Sequence, residues 1–386
     1  MSFQEQKPHV LYILPVPRFF SYYNGIGGHI THAYGIIKSL SKYYNVHVLV
    51  EELPPDYFKG ENIFFHICPN KKSNSRNILA RQVWFPKLIK KIKNIISKHK
   101  IQFCYMRYSV GFSPWIGKCK KTLNDIPLVI ELNSFASQKN KLFSFIESRA
   151  FKYSDLILPV SELVNNDLYN INPILSKKTI ILPNGVSIDK FDNISNRSDL
   201  NEKCEINIGF AGQLKSNYGL EYLIEAFKIA KRKDNRLKLH FYGDGSYKKE
   251  LQEMAQQVND IIFHGVVPYE KMEEVYSFLD ILIYTTDYWH KFQSPIKLYE
   301  YLATGKPVIA AQTPHTNKLI DNEKNGYLFD IGDYEMLADK ILKVLSEPQE
   351  AMKKASKAKK EIKENHSWES RVETLLNELK ERRLIE

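Results

Sequence analysis

Residues 294–310 read SPIKLYEYLATGKPVIA, a helix that runs into a β-strand. Ser294 suits an N-cap, Pro295 suits the first helical position, and Gly305 with Pro307 ends the helix before VIAA. The spacing predicts a helix of about ten residues. Placed at 100° per residue, Ile296, Leu298, Tyr299, Leu302 and Ala303 form its buried face, while Lys297 and Glu300 lie together at the edge near the N-terminus.

The same alternation extends almost from end to end. Short β-branched or aromatic runs alternate with longer helical patterns, the signature of parallel sheets built from βα units. The first half offers HVLYILP, YNVHVLV, FCYMRY, PLVIEL, DLILPV and TIILPNG; the second offers INIGFAG, LKLHFYG, IIFHG, DILIYT and KPVIAA. Between the two series lies residues 188–205, a polar stretch rich in Asn, Asp and Ser. A chain of 386 residues exceeds what one core usually supports, and 43% hydrophobic residues suffice for two. Two doubly wound α/β domains in tandem are expected, 1–188 and 189–366. The tail SWESRVETLLNELKERR follows a lysine-rich helix and carries the helical stripe Trp368, Val372, Leu375, Leu376 and Leu379, which must pack on one of them.

Composition narrows the function. Cys68, Cys104, Cys119 and Cys204 show no metal-ligand or redox spacing, and the N-terminus does not resemble a secretion signal, so a reducing, cytoplasmic compartment is expected. No apolar run approaches the roughly 18 residues of a membrane span. The formal net charge is +11, and its densest cluster is PKLIKKIKNIISKHK, residues 86–100, where Leu88, Ile89, Ile92, Ile95 and Ile96 oppose a lysine-rich face. A solvated amphipathic helix and contact with an anionic membrane surface both fit this pattern. No nucleic-acid-binding motif accompanies the charge, so nucleic acid is not expected as a partner.

In open α/β sheets ligands sit outside the carboxyl ends of strands, and the polar turns of this chain fall at such places. NGIGGHITHAYGIIKSL brings Gly25, Gly27 and Gly28 between a strand and a helix, for close backbone approach to a phosphate or merely for a tight turn. It lacks the spacing of a dinucleotide fingerprint. His29 and His32 stand at i and i+3 without an evident carboxylate or cysteine partner, and no metal is expected there. Pro183, Asn184 and Gly185 make a turn that reads as a hinge or as a ligand contact. Gln213 and Lys215 occupy the loop after INIGFAG, and Gly243 and Gly245 end LHFYG, with Asp244 or Ser246 as a cap for the next helix. The loop after His264, through Val267, could read the edge of a base.

At the Ile296 helix these possibilities converge. The N–H groups of Ile296 and Lys297, the positive end of the dipole and the Lys297 ammonium make one anion site. Glu300, one turn on, can accept hydrogen bonds from two neighbouring hydroxyls. Phosphate beside a vicinal diol describes a nucleotide. The competing reading is a surface i,i+3 ion pair worth roughly 0.2–0.5 kcal/mol.

Taken in order, GGHITHAYGIIKSL, YSDLILPVSE, ILPNGVSIDKF, GFAGQLKSNYGLEYLIEAF, YGDGSYKKEL, FHGVVPYEKMEEVYSFLDILIYTT and SPIKLYEYLATGKPVIA resemble the family 4 glycosyltransferases, over about residues 10 to 370. The resemblance implies a GT-B fold, two Rossmann-like domains facing a central cleft, with a nucleotide-sugar donor held mainly by the second domain and an acceptor by the first. It implies retention of anomeric configuration, no metal cofactor, and a tail helix near Trp368 that returns to the first domain. Donor contacts are then expected from Gly27 and Gly28, and from Gln213, Lys215, Gly243, His264, Val267, Ser294, Pro295, Ile296, Lys297 and Glu300. Lys297, Glu300 and Glu131 are expected to serve catalysis.

Three departures from the family pattern stand out. Phe292 occupies the position of the first glutamate of E-x7-E, which normally contacts the sugar. The family's Arg and Lys after the first strand of the second domain stand here as Gln213 and Tyr218, leaving Lys297, helped by Lys215, to neutralise the departing diphosphate. The family's first-domain histidine has no clear counterpart in VIELNSF, where Glu131 either orients the acceptor or is an ordinary strand-end polar residue. The expected reaction transfers a sugar from a UDP- or GDP-sugar to a hydroxyl of a glycan or lipid-linked acceptor, in bacterial-type cell-surface glycan or glycolipid synthesis. A nucleotide-sugar epimerase and a non-catalytic nucleotide-sugar-binding protein are the rival readings.

Overall fold

The computed structural model describes residues 7–20, 28–70, 82–138, 140–192, 194, 200–256, 258–287 and 294–386. The chain forms two compact units, Met1–Asn184 with Trp368–Glu386, and Gly185–Ser367. Each is built on a six-stranded parallel sheet.

In the first unit the strands are β1 (His9–Ile13), β2 (Asn45–Val50), β3 (Ile63–Ile67), β4 (Ile101–Arg107), β5 (Leu128–Leu132) and β6 (Leu156–Pro159), in the order β3-β2-β1-β4-β5-β6. The order reverses between β1 and β4, which makes their carboxyl ends a topological switch point. One face carries Leu11, Ile13, Cys104, Met106, Ile130 and Leu132 into a core with Trp84, Leu88 and Ile92 of the helix Trp84–Ile96. The other face presents Tyr12, Tyr105, Arg107 and Glu131, because Tyr12 pairs with Tyr105 and Arg107 with Glu131 in register. The tail helix Trp368–Glu381 belongs to this unit and buries Trp368, Val372, Leu375, Leu376 and Leu379. Its Trp368 ring fills the space beside Gly35 of the helix Gly28–Tyr43, where a Cβ would stand 2.3 Å from the indole nitrogen.

The second unit contains β7 (Ile206–Ala211), β8 (Leu237–Tyr242), β9 (Ile261–Gly265), β10 (Ile281–Tyr284), β11 (Val308–Ala311) and β12 (Tyr327–Phe329), in the order β12-β11-β10-β7-β8-β9. Here the switch lies between β10 and β7. These two strands pair only at Ile281–Ile208 and Leu282–Gly209 and then part. Beyond that point the Ala211 N–H donates to the Tyr301 hydroxyl, 2.9 Å away, which ties the Ile296 helix to the end of β7.

Three expectations change. TIILPNG is not a strand: Ile180 and Leu182 donate to Ile157 and Pro159 beside β6, but only Thr179 forms a bridge. Two edge strands, β3 and β12, went unanticipated, one because its side chains are mostly half-exposed, the other because it has three residues. The helix Lys248–Ala255 starts at Tyr247 without a side-chain cap, since Asp244 accepts instead from the Gly245 N–H at 2.7 Å.

Candidate functional site

The helix Ile296–Thr304 begins one residue later than its sequence suggests. Pro295 is the N-cap, with φ −80° and ψ 117°, rather than the first helical residue. Ser294 does not cap; its hydroxyl lies 3.4 Å from the Tyr299 hydroxyl and 3.5 Å from His315 Nε2. The C-terminal stop is as expected, with Gly305 in the left-handed region at φ 75°. The expected half-buried helix is in fact enclosed on nearly every side, since Ile296 and all residues from Leu298 to Thr304 are buried. It packs in one core with Tyr276 and with Ala358 and Ile362 of the helix Pro348–Asn365. The N–H of Leu298 is spent on the Pro295 carbonyl at 3.1 Å. Helix geometry leaves the N–H groups of Ile296 and Lys297 as the open donors of the first turn.

Glu300 and Lys297 do not form the surface ion pair of the competing reading. The Glu300 carboxylate is buried and accepts a hydrogen bond from the Tyr276 hydroxyl at 2.8 Å. Burial pushes its pKa up, opposed by that hydroxyl and by the positive charge of Lys190 and Lys297. The Lys297 ammonium instead crosses the end of β7, 3.6 Å from the centroid of the Phe210 ring and 5.3 Å from that of Tyr218. Burial lowers its pKa to about 7, with Glu300 pulling the other way. Room for the ammonium depends on Gly212, where a Cβ would sit 2.2 Å from Nζ.

Gly212 is one of three successive strand-end glycines with positive φ, at 152°, 134° for Gly243 and 76° for Gly265. They interlock: the Gly243 N–H donates to the Gly265 carbonyl at 2.6 Å, and a Cβ on Gly243 would stand 1.9 Å from the Gly212 oxygen. The carboxyl edge of β7, β8 and β9 is therefore a bare backbone shelf next to the start of the Ile296 helix. Gln213 and Lys215 follow Gly212 and are half-exposed. His264 is exposed, with Nε2 2.9 Å from His240 Nδ1 and its ring stacked on Tyr242 at 4.1 Å; Val267 packs beside the core that holds the Ile296 helix. A cavity of about 530 Å³ lined by Gln312, Lys318, Asp321, Asn325 and Glu361 also lies in this unit and contains none of these residues.

In the first unit Glu131 is the centre of a buried polar cluster. Its Oε2 lies 2.6 Å from His32 Nε2 and accepts from the Tyr105 hydroxyl at 2.7 Å. Its Oε1 accepts from Asn133 and lies 3.5 Å from Arg107. His32 Nδ1 in turn lies 2.6 Å from Asn184 Oδ1. Both ring nitrogens of His32 are thus held by side-chain oxygens. Burial alone would raise the Glu131 pKa, but His32 and Arg107 hold it down to about 2. The carboxylate is bonded on both oxygens and holds His32, Tyr105 and Arg107 around it. His29 Nε2 lies 3.2 Å from the Phe19 carbonyl.

The sequence alone missed His32, Asn184, Arg107 and Tyr105 around Glu131, and Tyr276 and Lys190 around Glu300. His32 and Asn184 did stand in quoted motifs, yet their distance from Glu131 along the chain concealed the cluster. Gly28 is the exposed first residue of its helix. Gly25, Gly27 and Phe292 lie outside the described residues.

Comparison with known proteins matches the chain to a family. The profile described as "Glycosyltransferase Family 4" covers residues 26–190, and that described as "Glycosyl transferases group 1" covers residues 191–363. The chain is 24% identical over 329 residues to a poly(ribitol-phosphate) alpha-N-acetylglucosaminyltransferase of Staphylococcus aureus, covering 81% of this chain and 60% of that enzyme's length. It is 26% identical over 360 residues to an uncharacterized glycosyltransferase of Methanocaldococcus jannaschii, covering 91% of this chain and 93% of the relative. Among solved structures, Anabaena HepE in complex with UDP superposes with a TM-score of 0.71 at 18% identity, over 97% of this chain and 100% of that one.

Proposed function

The chain belongs to the family 4 glycosyltransferases of group 1, with the two Rossmann-like domains of the GT-B fold, and on that footing we propose that it transfers a sugar from a nucleoside-diphosphate sugar to an acceptor hydroxyl. The observation that carries this reading is the arrangement at the start of the Ile296 helix. Two open backbone donors, the positive end of the helix and the Lys297 ammonium gather beside a glycine shelf, and Glu300 follows one turn on. A diphosphate fits the first group and a ribose diol the second.

Lys297 and the helix N-terminus stabilise charge on the departing diphosphate electrostatically, without a metal ion. As the bond from the anomeric carbon to the phosphate oxygen breaks, the acceptor oxygen bonds to the same face of the sugar. The acceptor proton passes to the leaving phosphate. This gives retention without the two carboxylates about 5 Å apart that a covalent glycosyl intermediate needs. We take the donor to be a UDP- or GDP-sugar, the UDP bound by HepE supporting the uridine nucleotide, and the acceptor to belong to a cell-surface glycan or glycolipid, the poly(ribitol-phosphate) in the staphylococcal relative's name supporting a polymeric hydroxyl acceptor.

No described helix is long and apolar enough to cross a membrane. The lysine-rich helix spends Leu88, Ile89, Ile92 and Ile95 on its own core and leaves Lys87, Lys90 and Lys93 exposed. Elsewhere in this unit Leu142 and Phe145 are 83% and 75% exposed. We place a peripheral contact with an anionic membrane on these two features, at the cytoplasmic face.

The test incubates the protein with UDP- and GDP-sugars, with and without glycan and lipid-linked acceptors, in EDTA. Nucleoside diphosphate released in step with acceptor glycosylation, with the anomeric configuration retained by NMR, is the expected result. Epimerised donor without acceptor, or binding without any release, would replace this function with one of the rival readings.

A further inference from the structure

The first unit carries a second concentration of ionisable side chains, at the opposite end of its sheet from Glu131. His9 opens β1, His47 is the third residue of β2, His66 the fourth of β3, and His99 stands two residues before β4. Register sets Leu11 beside His47 and His47 beside Phe64, so His9, His47 and His66 project from one face, the one packed by the lysine-rich helix. His47 Nε2 lies 2.9 Å from His9 Nδ1, and His47 Nδ1 lies 2.9 Å from His66 Nε2. The His99 ring closes over them, its centroid 4.1 Å from that of His47 and 5.1 Å from that of His9. One ring nitrogen each of His9, His47 and His99 falls within 4.8 Å of the other two.

A comparison inside the molecule shows what is unusual. In the second unit His240 also bridges two strands, with Nδ1 2.9 Å from His264 Nε2, but its Nε2 meets Asn207 Oδ1 at 2.9 Å and the chain of bonds closes on an amide. In the first unit the corresponding end is another imidazole, with a third ring converging on it. We propose that His9, His47 and His99 form a site for one divalent transition-metal ion of the zinc, nickel or copper class, with His66 as the outer partner that orients His47.

The chemistry of the donor set supports this assignment. Neutral imidazole nitrogens suit these metals, whereas calcium and magnesium want oxygen ligands. With Nδ1–H of His47 donating to His66, the His47 Nε2 is the ligating atom, the common arrangement in which a second partner fixes the ligand's tautomer. Metal–nitrogen bonds of about 2.0–2.1 Å require small side-chain shifts from the separations seen here. Lys91 and Lys98 near His66 oppose a cation, but Lys98 is exposed and Lys91 half-exposed, where solvent and salt screen them. The ion would staple the amino ends of β1 and β2 to the turn that leaves the lysine-rich helix. It would stabilise the first unit and stay out of the transfer chemistry at the carboxyl ends.

The 386-residue chain, free of any affinity tag and stripped with EDTA, is titrated with zinc chloride and separately with cobalt chloride. One saturable equivalent, a raised Tm and the visible spectrum of nitrogen-ligated cobalt are expected. His9→Gln and His99→Gln, both at partly exposed positions, should each abolish the saturable equivalent while circular dichroism and the metal-free Tm show an intact fold. His66→Asn should weaken affinity about 10- to 100-fold at unchanged stoichiometry; affinity equal to wild type would refute its orienting role. No saturable binding by the folded wild-type protein, or unchanged stoichiometry in both glutamine variants, would overturn the site.

Discussion

Glu300→Gln separates the site's contribution to binding from its cost in folding. The carboxylate is buried with its pKa pushed up, so ionisation at neutral pH works against the folded state. A glutamine keeps an oxygen for the Tyr276 hydroxyl and removes that burden, so the ligand-free Tm should be equal to or higher than wild type. Donor affinity should move the other way. Hydrogen bonds to a charged acceptor contribute about 1.5–3 kcal/mol each, and two ribose hydroxyls that trade a carboxylate for an amide oxygen should lose about 2–4 kcal/mol together. That is roughly a 30- to 700-fold weaker dissociation constant. Calorimetric titration with the nucleoside diphosphate and its 2′-deoxy analogue completes a double-mutant cycle. The loss from Glu300→Gln and the loss from the missing hydroxyl should be strongly non-additive. Additive losses, or wild-type affinity in the variant, would refute the placement of the ribose at Glu300.

In the proposed function Lys297 engages the diphosphate in its charged form, and burial lowers its pKa in the free protein to about 7. Donor affinity should therefore be full below pH 7 and decline as pH rises through that value, while Lys297→Met binds weakly with a flatter profile; parallel pH profiles would sink the assignment. Glu131→Gln removes one partner of a buried charged pair and should cost about 3–5 kcal/mol at pH 7 by denaturant unfolding. The depressed Glu131 pKa contributes stability above the usual carboxylate range that is lost as pH falls toward about 2, so the deficit of the variant should shrink on acidification. A deficit independent of pH would remove Glu131 from the charge network. Vesicles rich in anionic lipid should bind the protein, and Leu142→Ser with Phe145→Ser, or Lys87, Lys90 and Lys93 changed to Gln, should each weaken that binding; binding that survives both sets would contradict the membrane surface.

Much of the architecture was legible because it rests on local periodicity. Alternating strand and helix patterns marked ten of the twelve strands, and Gly305 marked the end of the Ile296 helix. The strands that escaped notice are edges, where burial no longer imposes a hydrophobic pattern. Ser294 looked like a cap because residue type favours it, but its hydroxyl is drawn toward Tyr299 and His315, contacts made by folding. The same limit applies to the site. Lys297 and Glu300 could be placed on one short helix from spacing alone, yet the ammonium's position depends on Gly212 and Phe210 on another strand. The cluster around Glu131 joins residues from β4, β5, the Gly28 helix and the turn at Asn184, and no local signal connects them.

In the proposed function the Ile296 helix holds the donor nucleotide. A crystal structure with bound UDP or GDP is the decisive test. The predicted result places the diphosphate oxygens within hydrogen-bond distance of the Ile296 and Lys297 N–H groups and of Lys297 Nζ, and both ribose hydroxyls on the Glu300 carboxylate. A nucleotide bound with its phosphates away from this helix start, or with its ribose on another side chain, would contradict it.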